Sequence, residues 1–215
     1  MSKLSFCSWS GGKDSCLALY KAINQGYDVK YLLTMMAEQG NRSRSHGINS
    51  ELLFKQSEKL KIKMVQKNTS WDDYENVFIS TIEEFKKDKI EYGIFGDIDL
   101  QEHLDWIIKV CNKTNIRYFE PLWKYKRMDV IKELLDAGFK SIIVSCDSKK
   151  MGEKYLGKEI TFDLVNELQS IGIDAAGENG EFHTFIYDGP IFSGKIKFNK
   201  KDIKENKNYL FLEIE

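Results

Sequence analysis

Apolar residues along the chain fall into two rhythms that keep replacing one another. Leu4-Ser5-Phe6-Cys7-Ser8-Trp9 alternates as a strand does, and Cys16, Leu19, Tyr20 and Ile23 then recur at the spacing of one helical face. The succession continues with a buried strand from Asp28 to Met36, a helix from about Ser50 to Leu60, and a short strand through Ile62, Met64 and Val65. A helix carrying Trp71, Tyr74, Phe78, Ile82 and Phe85 follows, and its aromatic stripe reads as a packed face rather than a base-stacking platform. Tyr92-Gly93-Ile94-Phe95 is the next strand, Leu104 to Cys111 the next helix, and Arg117 to Glu120 a further strand. Such alternation predicts an α/β fold, a doubly wound parallel sheet covered on both faces, with ligands beyond the carboxyl ends of its strands.

The rhythm changes near Pro121, which disfavours helix at Glu120 and marks a turn. Beyond it a helix through Ile131, Leu134 and Leu135, a strand from Ser141 to Val144, and a helix with Leu164, Leu168 and Ile171 are expected. Phe182 to Tyr187, Lys195 to Phe198 and Tyr209 to Ile214 read as three short strands of a small sheet. The chain thus divides into a larger lobe, residues 1–125, and a smaller α+β lobe, residues 126–215.

Between the first strand and the first helix stand Ser10-Gly11-Gly12-Lys13-Asp14-Ser15. Two glycines let the main chain approach an anion closely, the first amides of a helix are free donors at its positive end, and Lys13 adds a full charge. The spacing is not that of a Walker loop, so a different phosphate loop is indicated. The plainer alternative is a tight turn capped by Ser10 or Asp14, which has no use for two glycines and a lysine.

Two further loops fall at the same sheet edge. The polar segment after Met36 carries Arg42, Arg44 and His46 and has the length of a lid, against the alternative of a solvated mobile loop. Gly96-Asp97 follows a strand, where Asp97 reads equally as a ligand-holding residue or an ordinary turn residue. In the second lobe Gly177-Glu178-Asn179-Gly180-Glu181-Phe182-His183-Thr184 concentrates carboxylates, an amide, an imidazole and a hydroxyl beside a strand. Alone it is as readily a glycine-rich turn; a second polar cluster in a chain with a phosphate loop favours function.

The 32 basic and 33 acidic residues nearly cancel, so no overall field draws the chain to nucleic acid or an anionic membrane. Cys7, Cys16, Cys111 and Cys146 lack CxxC or zinc spacing and read as reduced core thiols; Cys146, at the end of an apolar run, keeps a functional alternative. No run approaches the ~20 apolar residues that span a bilayer, and a cytoplasmic location is expected.

SGGKDS resembles the phosphate loop of the PP-loop (N-type) ATP pyrophosphatases, which cleave ATP between its α and β phosphates. Together with FGDI, EPLW and GENGEFHTFIYDGPIF, it makes the chain similar over nearly its whole length to the diphthine-ammonia ligase family. The resemblance implies an adenine nucleotide alpha hydrolase-like lobe and a smaller substrate lobe. It also implies the family reaction: ATP activates the carboxylate of diphthine, a modified histidine on elongation factor 2, and ammonia displaces AMP from the acyl adenylate. By resemblance, Ser10, Gly11, Gly12, Lys13, Asp14 and Ser15 would hold ATP and its leaving pyrophosphate, with backbone near Thr34 and Met35 facing adenine and Gly96 and Asp97 nearby. Lys13 and Asp14 would be catalytic, Asp14 and Asp97 candidate Mg2+ ligands. Glu178 or Glu181 would handle ammonia, and His46, Asn179, His183 and Thr184 the acceptor. Met1-Ser2 at the start leaves no N-terminal glutaminase cysteine, so free ammonia is the expected nitrogen source, and a homodimer is a family-level expectation. The rivals are amidation or thiolation of another acceptor, a small metabolite or transfer RNA, and an ATP- or AMP-binding sensor without turnover.

Overall fold

The computed structural model describes residues 3–44 and 46–215; Met1 and Ser2, which carry the argument about the N-terminal cysteine, lie outside the described residues. Strand β1 (Lys3–Ser8) is central because both its faces are apolar: Phe6 points one way and Cys7 the other. Around it lie β2 (Tyr27–Met36), β3 (Lys63–Asn68), β4 (Tyr92–Ile94) and β5 (Arg117–Phe119), all parallel, in the order β3-β2-β1-β4-β5. Phe6 and Leu33 pack with Phe78, Ile82 and Phe85 of α3 (Tyr74–Lys86) and with Ile107 and Val110 of α4 (Gln101–Thr114). Cys7 and Leu32 face Leu17 and Leu19 of α1 (Lys13–Asn24) and Leu52 and Leu53 of α2 (Ser50–Leu60). This is the doubly wound sheet that the alternation predicts. Strand order reverses between β1 and β4, so the crevice where such sheets bind ligands opens at the carboxyl ends of those two strands.

Helix α5 (Arg127–Asp136) packs on α1, where Lys21 Nζ meets Glu133 Oε2 at 2.5 Å. Then come β6 (Lys140–Asp147), a 3-10 turn at Glu153–Tyr155, α6 (Phe162–Ser170), β7 (Phe182–Asp188), β8 (Lys200–Asn206) and β9 (Tyr209–Ile214). The four strands form an antiparallel sheet ordered β7-β6-β9-β8, so this lobe is α+β. Its buried Ile142, Ile143, Phe182 and Phe185 join the same apolar cluster as Leu17 and Leu53, and one core runs through both lobes.

The structure corrects two local expectations and decides between two readings of a third residue. Lys195 to Phe198 is not a strand: Ile196 N donates to Tyr187 O and the side chain is buried, but the third strand of the small sheet is β8, every residue of which is exposed. Trp71 precedes α3 and is 69 % exposed, outside the packed stripe formed by Phe78, Ile82 and Phe85. Cys146 lies inside β6, buried, and burial pushes its thiol up to about 11, so it is a packing residue rather than a nucleophile.

The lobes are stitched at the glycine loop. Gly11 O accepts from Ile186 N of β7 at 3.0 Å and from Gln56 Nε2 at 2.9 Å; Gln56 Nε2 also donates to Ile186 O (2.7 Å), and Gln56 Oε1 accepts from Trp9 Nε1 (2.9 Å). Gln56 is fully buried, so Gln56→Leu strands polar groups that water does not reach. It is expected to lower stability by about 2–3 kcal/mol in urea unfolding; an unchanged midpoint would mean the joint does not need this amide.

Candidate functional site

A cavity of about 690 Å³ opens at the crevice between β1 and β4 and is closed on one side by the second lobe. The turn from β1 to α1 begins at Ser10, with Gly11 at φ +82°, a conformation that favours glycine, and crowded by Leu53, Gln56 and Ile48. Gly12 is the N-cap and has no capping side chain of its own; instead its amide donates to Ser10 Oγ at 3.2 Å, and Ser10 N donates to Ser15 Oγ at 3.4 Å. Lys13 N donates to Thr184 Oγ1 at 3.0 Å. Serine and threonine hydroxyls thus satisfy amides that the start of a helix leaves free, in the manner in which anion oxygens are held there.

Lys13 is the charge at the centre. Its side chain is 5 % exposed, Nζ lies 2.7 Å from Asp14 Oδ2 and 3.6 Å from Glu178 Oε1, and Phe182 presents its ring at 5.8 Å. Burial pulls the Lys13 pKa down, but the Asp14 and Glu178 carboxylates outweigh it and the net shift is upward, so the ammonium persists. Glu178 moves the other way from an ordinary carboxylate: burial, opposed by Lys13 and aided by Asp14, raises it to about 7. Near neutral pH it therefore exchanges a proton readily. Asp14 Oδ1 is buried and has no partner among the described residues.

Ser10, Lys13, Asp14, Ser15, Thr34, Met35, Gly96, Asp97, His46, Glu178, His183 and Thr184 line this one cavity. Gly11 and Gly12 shape the turn behind it. Glu181 and Asn179 do not belong to the lining, which corrects the expectation that they face the chemistry. Glu181 is buried and its carboxylate accepts from Asn179 N (2.9 Å), Asn179 Nδ2 (3.1 Å) and Asp174 N (3.4 Å), bracing the loop that carries Glu178. Asn179 is exposed, and its Oδ1 accepts from Arg127 Nη1 at 3.2 Å. Of the two glutamates, only Glu178 is in position.

Asp97, the other candidate Mg2+ ligand, lines the cavity and has a partner of its own. Its Oδ1 meets His103 Nδ1 at 2.7 Å, the hydrogen bond that raises the His103 pKa. Among the described residues no group of three or more His, Cys, Asp or Glu side chains converges as a metal site. Behind Asp97, burial and that carboxylate push Glu120 of the EPLW segment up to about 7.

Sequence patterns did not single out the cavity's aromatic end. Trp71 and Tyr74 stack at 5.9 Å, Tyr74 and Trp106 meet at 5.7 Å, and all three line the cavity with Leu100, His103 and Ile107. The one sequence signal was Trp71 and Tyr74 at the start of an aromatic stripe, and packing was the better reading of its remainder. Two arginines of the polar loop after Met36 are held by neighbouring elements: Arg42 Nη2 pairs with Glu213 Oε1 of β9 at 2.5 Å, and Arg44 donates to Thr69 O and covers the Trp71 ring at 4.6 Å.

Fold and site together define a doubly wound α/β protein with a glycine-lysine phosphate loop at its switch point and a second lobe that completes the cavity. The N-terminal domain of diphthamide synthase matches residues 4–118 and its C-terminal domain residues 126–215, and the chain belongs to that family. It is 24 % identical over 215 residues to the diphthine–ammonia ligase of Mus musculus, covering 87 % of this chain and 79 % of that one. The Homo sapiens diphthine–ammonia ligase is 22 % identical over 224 residues (90 % and 82 %), and that of Schizosaccharomyces pombe 23 % over 220 residues, 92 % of this chain but 36 % of the longer relative. A crystal structure described as a predicted subunit of a tRNA methyltransferase from Methanocaldococcus jannaschii aligns over 90 % of this chain and 99 % of that one, at 17 % identity and a TM-score of 0.47.

Proposed function

We propose that the chain is an ATP-dependent amide ligase that adenylates a carboxylate and then amidates it with ammonia, releasing AMP and pyrophosphate. The observation that carries this reading is that Lys13 of the phosphate loop and Glu178 of the second lobe meet at 3.6 Å in one cavity. A carboxylate resists ammonia because oxide is a poor leaving group; transfer to the α phosphorus supplies AMP as leaving group and splits one hard step into two. In this reading residues 1–125 hold ATP and residues 126–215 present the acceptor. Lys13 and the α1 amides stabilise charge developing on the departing pyrophosphate. Glu178, near its midpoint at neutral pH, takes the proton that ammonia sheds as the C–N bond forms.

Mg2+ suits the site through Asp14, whose buried, unpartnered Oδ1 is the kind of single carboxylate that binds magnesium together with phosphate oxygens. When bound, the ion would neutralise phosphate charge. The relatives' names supply diphthine as the acceptor and ammonia as the nitrogen source; the resemblance to the family adds that diphthine is a modified histidine of elongation factor 2.

The test is incubation with ATP, 15N-ammonium and diphthine-bearing elongation factor 2 or a cell extract. Label in the factor supports the full reading; label in small molecules alone keeps the ligase and rejects this acceptor. Absence of pyrophosphate with every acceptor returns the chain to the nucleotide-sensor alternative. Glu178→Gln is expected to retain ATP affinity while amidation falls about a hundredfold, the low end of general-base contributions; lost ATP affinity would put Glu178 on the nucleotide side. The same variant has a stability signature. A raised carboxyl pKa means the folded state binds the extra proton, so stability falls as pH rises from about 4.5 to about 7, and Gln removes that slope.

A further inference from the structure

Glu178 stands on a turn, residues 174–181, that is neither helix nor strand. Gly177 and Gly180, both at positive φ, shape this turn, and Glu181 braces it from within the second lobe. The phosphate loop, by contrast, belongs to the first lobe. A base has to come within about 2.6–3.2 Å of the group whose proton it takes, so the turn needs a fixed place relative to that lobe.

Arg127 supplies the connection. It is the first residue of α5, a position where a cation faces the positive end of the helix and gains nothing from it. Its guanidinium answers instead to side chains of other segments. Nε and Nη2 donate to Asp99 Oδ2 and Oδ1 at 2.8 and 2.9 Å, a two-pronged grip on the residue just before the Leu100 N-cap of α4. Nη1 lies 3.2 Å from Asp174 Oδ2 and donates to Asn179 Oδ1 at 3.2 Å. The other Asp174 oxygen, Oδ1, accepts from Ala176 N at 2.9 Å and from Glu178 N at 3.2 Å. A chain of bonds thus runs from the loop after β4, through Arg127 and Asp174, to the main chain of Glu178 itself.

Stability alone gives this cluster little to do. The side chains of Asp99, Arg127 and Asp174 are 35 %, 24 % and 17 % exposed, and ion pairs open to water in that degree contribute modestly to folding. What a two-pronged guanidinium–carboxylate pair adds is direction, because the planar fork sets an angle as well as a distance. Gripped by Asp99, the fork aims its remaining arm at Asp174.

We infer that Arg127 is a positioning residue for Glu178: anchored on Asp99 of the first lobe, it fixes the turn capped by Asp174 and so the place of the Glu178 carboxylate beside Lys13. This rests on reading Glu178 as the group that takes the proton from ammonia, and extends it to how that group is held. Arg127 is not among the residues lining the cavity and acts only through the turn.

Exchange of labelled pyrophosphate into ATP reads adenylation, and 15N-ammonium incorporation into diphthine-bearing elongation factor 2 reads amidation. Arg127→Ala is expected to leave the exchange unchanged and to lower amidation about tenfold, within the hundredfold scale on which a misplacement near 1 Å is felt. Arg127→Lys keeps the charge but not the fork and should be as slow; restored amidation would show that charge suffices and overturn the inference. In a Glu178→Gln background Arg127→Ala should cost nothing further, within about twofold, whereas a second tenfold loss would mean that it acts elsewhere. Asp99→Ala releases the grip from the first lobe and should reproduce the Arg127→Ala pattern, which keeps the test open if the arginine variant fails to fold. One readout needs no acceptor. In either alanine variant the amides of Ala176 and Glu178 are expected to lose protection from hydrogen exchange while those of α6 keep theirs, and unchanged protection overturns the inference. If the unaltered chain amidates no acceptor, the ligase reading falls, and hydrogen exchange still decides whether Arg127 holds the Glu178 turn.

Discussion

Lys13→Ala is expected to reduce pyrophosphate formation by at least about a hundredfold, the scale set by removing one preorganised donor from a developing anion. The effect should be on chemistry more than on folding. Lys13 Nζ stands between Asp14 and Glu178, and without it Glu178 can take up a proton rather than remain as a buried charge. The proof of that route is a pH dependence. Glu178, already raised to about 7, loses the cation that opposes its rise, so the variant's stability should fall as pH increases through and beyond that value. Lys13→Arg should not rescue, since a planar fork does not replace a compact ammonium in a site this enclosed. Pyrophosphate release and thermal unfolding across pH 5 to 9 measure both parts; near-normal turnover in Lys13→Ala would remove the phosphate-loop assignment.

The same physics explains which parts of the molecule could be read from sequence. The parallel sheet was legible because period-2 and period-3.6 burial leaves a direct trace: Phe6 and Cys7, or Leu32 and Leu33, divide between the two faces as their alternation requires. Strand β8 leaves no such trace. Lys200–Asn206 buries nothing, its pairing with β9 is main-chain hydrogen bonding at a sheet edge, and the apolar residues at 196 and 198 suggested a strand a few positions too early. In GENGEFHT the density of polar groups marked the place but not the division of labour. Glu178 and Glu181 are both glutamates beside glycine, and only the turn geometry sends one toward Lys13 and the other back to three N–H donors of its own loop. Asp97 shows the same limit: its partner, His103, lies in the first turn of α4, and nothing in the local spacing distinguishes that hydrogen bond from a metal ligand or a turn.

Gly96 is where this close fit has its largest expected consequence. No Cβ fits there: it would lie 2.8 Å from Asp14 C and O and 2.9 Å from Ser15 N. Those are backbone atoms of the first turn of α1, so no side chain can swing aside, unlike the His46 ring opposite Gly12. Gly96→Ala must push the end of β4 and the start of α1 apart, which should lower stability by roughly 1–3 kcal/mol, the range for overpacking. The catalytic loss should be larger than the stability loss implies. The displaced turn carries Lys13 and Asp14, and a shift near 1 Å in positioning groups is worth on the order of a hundredfold in rate. Gly152→Ala is the matched control, since a Cβ there meets nothing and the backbone is extended; it should leave stability within about 0.5 kcal/mol and turnover unchanged. If Gly96→Ala turns over like Gly152→Ala, the contact between the β4 edge and α1 does not set the geometry of the phosphate loop.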